Sequence, residues 1–223
     1  RLSLVGSEMC IRDRFMMPYR RPRMIATDLD GTIIGYEHTR SGFITPRTVE
    51  AFQNAHDEGI QVVFVTGRPM RWLAPLEDAL GHAGPVICSN GAVVYDMADH
   101  TVMESRPMAL ETVLQARDLI AALDSGAAFG AETLSGFHLE SRFVDRSRAH
   151  PGEDRAWAHE VGSTLEEVLP DRPEVVKFLA KTRAQDPDAF LGEVRELLGD
   201  LLAVTHSAPG IALLEMSLSL IHI

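Results

Sequence analysis

The stretch from Met24 to Gly35, Met-Ile-Ala-Thr-Asp-Leu-Asp-Gly-Thr-Ile-Ile-Gly, constrains this chain more than any other. An apolar run ending in a turn signal predicts a buried strand that stops at Gly31. Side chains alternate along a strand, so Asp28 and Asp30, two residues apart, can point the same way at its end. Two neighbouring negative charges need a cation, and a hard divalent ion such as Mg²⁺ suits all-oxygen ligands. Gly31 lets backbone N–H groups approach an anion, and Thr32 adds a hydroxyl donor. The residues therefore offer a nucleophilic carboxylate, a second carboxyl for proton transfer, a metal seat on Asp28 and Asp30, and an anion cradle.

The segment downstream places a second group beside this pair. Thr45-Pro46 reads as an N-cap followed by proline in the first helical turn. Val49, Phe52 and Ala55 recur at helical spacing and Gly59 closes the helix. Residues 60–65, Ile-Gln-Val-Val-Phe-Val, form a second buried strand, which ends in Thr66-Gly67-Arg68-Pro69. Strand, helix and strand at this spacing make a βαβ unit with parallel strands. Thr66 then shares the carboxyl edge with Asp28, where ligands bind in open α/β sheets. Its hydroxyl and the Gly67 N–H can hold phosphate oxygens, and Arg68 can reach an anionic substrate.

Asp28-Leu-Asp-Gly-Thr32 resembles the D-x-D-G-T signature of the haloacid dehalogenase (HAD) superfamily. Val65-Thr-Gly-Arg-Pro69 resembles its second motif, in the Cof-type branch that carries a large cap. The resemblance implies that Asp28 is a nucleophile toward phosphoryl groups and that Asp30 is the general acid and base. It makes Thr66 a phosphate ligand and sets Ser89-Asn-Gly-Ala92 at the junction of core and cap, where Asn90 can touch substrate. The implied fold is α/β, an incomplete HAD-like Rossmannoid core of parallel strands with an inserted α+β cap. The implied activity is a Mg²⁺-dependent phosphatase of small phosphoesters, sugar phosphates among them; a phosphomutase shares the motif and cap type.

Further along, a helix is expected around Trp72, Leu73, Leu76 and Leu80 and a strand at 86–88; Asn90-Gly91 marks a hairpin returning near 101–104. Beyond residue 106 the rhythm becomes α+β: helices near 110–123, 164–169 and 187–198, and strands near 127–132, 136–140, 175–181, 202–206 and 211–216. Alternation could turn His138, Glu140 and Arg142 toward a substrate, or toward solvent on an edge strand. Lys177 and Lys181, inside a cap strand, are poor candidates for the lysine that the superfamily carries after its cap. Neither that lysine nor the Gly-Asp-x-x-Asn-Asp turn is present, so this chain alone is expected to be weakly active or inactive, with an exposed first strand.

The division expected is a foreign-looking tail at 1–16, the first part of the core at 17–105, the cap at 106–216 and a second foreign-looking tail at 217–223. A net charge of −11 with no basic stripe argues against a nucleic-acid partner. It also leaves anion binding to local groups. Two distant cysteines suggest a reducing cytoplasm, and no apolar run is long enough for a membrane span. The partner expected is a small phosphorylated metabolite.

Overall fold

The computed structural model describes residues 21–38, 41–80, 84–144, 160–208 and 210–218. Its strands form two sheets. The first has the order β1-β2-β3-β4-β5, with β1 Met24–Asp28, β2 Gln61–Val65, β3 Pro85–Cys88, β4 Val93–Asp96 and β5 Thr101–Ser105. The first three strands are parallel and the last two run antiparallel. Asp28 is in register with Val65, so Thr66 follows directly beside the Asp28 strand end.

Helix α1, Pro46–Asp57, makes the crossover between β1 and β2; the Thr45 side chain accepts the Thr48 N–H at its start. Val49, Phe52 and Ala55 pack on the sheet core, and the Phe52 ring meets Phe64 edge-on at 5.5 Å. Trp72 falls in a short 3₁₀ turn, Met70–Trp72, before α2, Ala74–Leu80, begins. Pro75 accounts for this shift, since proline fits the first turn of a helix and would break it later.

The second sheet has the order β10-β11-β9-β6-β7-β8. These strands are β6 Ala128–Thr133, β7 Phe137–Glu140, β8 Glu160–Gly162, β9 Val175–Lys181, β10 Ala203–His206 and β11 Leu213–Ser217. Three helices accompany them: α3 Leu110–Leu123, α4 Leu165–Val168 and α5 Pro187–Leu198. Their apolar positions, such as Val113, Ile120, Phe190, Val194 and Leu198, are fully buried with Phe129 and Phe178. Those two rings stack at 5.7 Å. Each such side chain contributes roughly 1.5–3 kcal/mol on burial.

Two expectations change and one is met. β1 reads locally as a buried strand, but it is the exposed first strand expected of this chain: it pairs only with β2 among the described residues, its side chains alternate between exposed and half-buried, and Met24 is 54% exposed. The short strand β8, parallel to β7, carries too few residues to show an alternating pattern in the sequence. Strand β11 runs through Ser217, paired with Ala203, and Leu218 packs on the second core, so regular structure passes position 216. The tail expected at 1–16, and residues 219–223 of the tail expected at 217–223, lie outside the described residues.

Candidate active site

The turn after β1 is built on Leu29, whose carbonyl accepts the N–H groups of Thr32, Ile33 and Ile34. Gly31 closes it with φ +80°, and its N–H donates to Ile34 O at 2.8 Å. That φ favours glycine, and a Cβ there would lie 2.5 Å from the exposed Tyr36 ring and push it aside. The loops after β2 and β3 are laced together. Thr66 N–H donates to Ile87 O, Ser89 N–H to Arg68 O at 2.9 Å, and Asn90 N–H to Thr66 O. Ser89, Asn90 and Gly91 all have positive φ, which brings the Asn90 side chain over Gly67.

A cavity of about 660 Å³ opens where these loops face the second sheet. Asp28, Asp30, Gly67, Arg68 and Asn90 all line it. The Asp28 carboxylate accepts the Leu29 N–H at 2.7 Å. Arg68 grips Asp30 with two donors, Nε at 2.7 Å and Nη2 at 2.6 Å, a fork geometry that fixes both groups. Buried Arg68 thus holds Asp30; the sequence suggested an anionic substrate for it instead.

Gly31, Thr32 and Thr66 are not among the lining residues. The Gly31 N–H is taken by Ile34, Thr32 faces solvent, and the buried Thr66 hydroxyl accepts the Arg68 N–H at 3.1 Å. His138 and Glu140 also point away. Both are buried, with His138 Nε2 3.1 Å from Thr133 Oγ1 and Glu140 accepting the Phe129 N–H, while their neighbours Phe137 and Leu139 face the cavity. Strand β7 lies between β6 and β8, so it offers no open edge for a solvated face.

Two groups at the site were missed by reading the sequence. Lys177, from the middle of β9, is buried and donates to Gly67 O at 2.7 Å and to Glu215 at 2.8 Å. The same Glu215 oxygen accepts from Asn90 Nδ2 at 2.8 Å. Arg71 reaches from the first sheet's loops to Glu132 of β6, and burial pushes its guanidinium down to about 10. A lone Lys and a lone Glu inside apolar strands were the available signal, because buried charges require partners.

Asp28 and Asp30 give the carboxylate oxygens that a hard divalent cation takes. The seat they make is partial: Asp30 is engaged by Arg68, and no group of three metal-binding side chains occurs among the described residues. Asp28 is the residue best placed to hold such an ion.

The family model for haloacid dehalogenase-like hydrolases matches residues 25–215. The chain belongs to this family. Pyridoxal phosphate phosphatase YbhA of Escherichia coli is 37% identical over 98 residues, 44% of this chain and 35% of that protein. A 5-amino-6-(5-phospho-D-ribitylamino)uracil phosphatase of Bacillus subtilis, YitU, is 33% identical over 79 residues, 35% of this chain and 28% of that one. The matched segments thus span about a third of these curated relatives. Among solved structures, the HAD phosphatase BT1666 of Bacteroides thetaiotaomicron superposes with TM-score 0.68 at 19% identity, over 92% of this chain and 70% of that one. In this HAD-like hydrolase, the expected α/β fold with parallel strands beside a second mixed unit is therefore present. No helix among the described residues is long and apolar enough to cross a membrane.

Proposed function

We propose that the protein is a phosphatase of small phosphoesters, and that the cavity between the two sheets is where it acts. The carrying observation is that Asp28 and Asp30 line one cavity at the carboxyl edge of two parallel strands, with Arg68 fixing Asp30. An Asp28 oxygen attacks phosphorus as the P–O ester bond breaks, and the departing alkoxide takes a proton from Asp30. Asp30 then removes a proton from water, which attacks the aspartyl-phosphate and releases phosphate with Asp28 restored. A positioned acid of this kind is worth roughly 10²- to 10⁴-fold in rate.

For Asp30 to carry a proton, its fork to Arg68 must loosen when substrate enters. Gly67 lines the cavity and can offer its N–H to phosphoryl oxygens, in keeping with the family's second motif; the Thr66 hydroxyl, buried outside the lining, would have to turn toward them to join it. Mg²⁺, with Asp28 as a ligand, would supply charge neutralisation on the phosphoryl group. The reading further places the protein in the cytoplasm, in keeping with the free, buried thiol of Cys88.

The test is phosphate release by the full-length protein and by Asp28→Asn. Loss of turnover by about a thousandfold or more in the variant is expected for a nucleophile. Incorporation of ³²P from a labelled substrate, acid-stable and absent from the variant, marks the covalent step. Normal turnover by Asp28→Asn ends this reading.

A further inference from the structure

Resting on the phosphatase reading, we infer that Lys177 of the second sheet is a positioning residue: it clamps the Gly67 carbonyl and so aims the Gly67 N–H at the phosphoryl group. The main chain from Thr66 to Arg68 is held at nearly every polar group. Thr66 N–H donates to Ile87 O at 2.8 Å, and Thr66 O accepts from Asn90 N–H at 3.3 Å. Arg68 N–H donates to Thr66 Oγ1, and Arg68 O accepts from Ser89 N–H. Gly67 O accepts from Lys177 Nζ at 2.7 Å. Of these main-chain groups, the Gly67 N–H is the one with no acceptor among the described residues, and Gly67 is exposed and lines the cavity. A main-chain donor left open at a strand end, beside Asp28, is an anion-binding group.

This glycine is needed and is hard to hold. A Cβ on Gly67 would lie 2.7 Å from Asn90 Oδ1, so a side chain would displace the amide that covers it. Without a Cβ, the peptide planes on either side of Gly67 turn easily. The plane before it is fixed from within the first sheet, by Asn90 N–H on Thr66 O. The plane after it carries Gly67 O, and there the partner comes from the other sheet, 110 residues along the chain. The Lys177 side chain is 6% exposed, and Glu215 Oε2 sets its Nζ at 2.8 Å; Asn90 Nδ2 meets the same oxygen at 2.8 Å. Lys177, Glu215 and Asn90 thus close a ring around Gly67. Arg68, on the far side of the clamped plane, holds Asp30, so the clamp bears on the proposed acid as well. Stability does not call for this arrangement, since apolar packing serves a buried position as well as an ion pair does. What the lysine adds is a directed donor.

The test uses the full-length protein, Lys177→Met, and Lys177→Met combined with Glu215→Leu, which removes the uncompensated carboxylate. With the clamp gone, kcat/KM should fall about tenfold in both variants, the scale of one weakened hydrogen bond to a charged group. The fall should agree within about twofold for p-nitrophenyl phosphate and glycerol 1-phosphate, because the phosphoryl group is what these esters share. A second readout needs no turnover. With ¹⁵N-glycine labelling, the order parameter of the Gly67 amide should drop from about 0.85 toward about 0.6 in both variants. Inorganic phosphate should shift that amide in the unaltered protein at roughly tenfold lower concentration than in either variant. Full turnover by the double variant, unequal losses for the two esters, or an unchanged Gly67 order parameter overturns the inference. A Gly67 amide that answers phosphate and depends on Lys177, in a protein that hydrolyses neither ester, would instead overturn the phosphatase reading and leave the clamp standing.

Discussion

Strands β1 and β9 each bring a charged residue to the same cavity, yet they are built in opposite ways. β9 lies between β11 and β6, and six of its seven residues are buried. Among the described residues β1 has β2 on one side only, and it has no fully buried side chain. The strand carrying the proposed nucleophile is the less protected of the two. Position at a strand end, where backbone groups stop pairing and side chains meet solvent, is what reactive groups need; a mid-strand charge such as Lys177 must be held by fixed partners. Chemistry and stability are thus divided between the sheets.

Substitutions can break or sharpen that contrast. The largest effect on stability is expected in the second sheet, where Phe178→Ala removes a ring stacked on Phe129; a loss of about 3–5 kcal/mol should appear as a lower urea midpoint. Next comes Lys177→Met, expected to cost about 2–3 kcal/mol because the mostly buried Glu215 carboxylate loses its cation and keeps only the Asn90 amide. Adding Glu215→Leu should return part of the loss, and a double variant worse than Lys177→Met would mean the pair is not a unit.

A smaller effect belongs to the first sheet's interior. Burial pushes the Cys88 thiol up to about 12, mainly by desolvation. The unfolded chain gives up that proton near pH 9, so the stability held by the neutral thiol is present below pH 9 and lost as pH rises toward 12. The slope is about 1.4 kcal/mol per pH unit. Unfolding followed from pH 8.5 to 10.5 should therefore be less pH-dependent in Cys88→Ala. The smallest effect is Met24→Ser on β1, expected within about 0.5 kcal/mol in the same urea assay. A larger loss would show that β1 is covered in solution.

The difference between the strands also explains what the sequence could reveal. Asp28 and Thr66 were legible as neighbours because a βαβ unit fixes strand direction, and the register Asp28 to Val65 follows from it. The turn glycines and the Thr45 cap were legible for the same local reason. Glu215 was not, since it reaches Lys177 only through the antiparallel seam of β11 and β9, across 38 residues. Nor was the engagement of Arg68 by Asp30, at the same separation. The sequence shows which residues end strands; it does not show which loop side chains meet after the strands are laid side by side. Burial of His138 and Glu140 was hidden likewise, because β8 covers the flank of β7 and is too short to announce itself.

Beside Met24–Asp28 lies a ladder of backbone donors and acceptors that β2 does not use. Any strand laid there would widen the sheet by one place and, in the same motion, set its own terminal side chains next to Asp28. Shelter for the ladder and new ligands for the carboxylate would arrive together, so the completeness of the proposed catalytic centre is coupled to the width of the sheet.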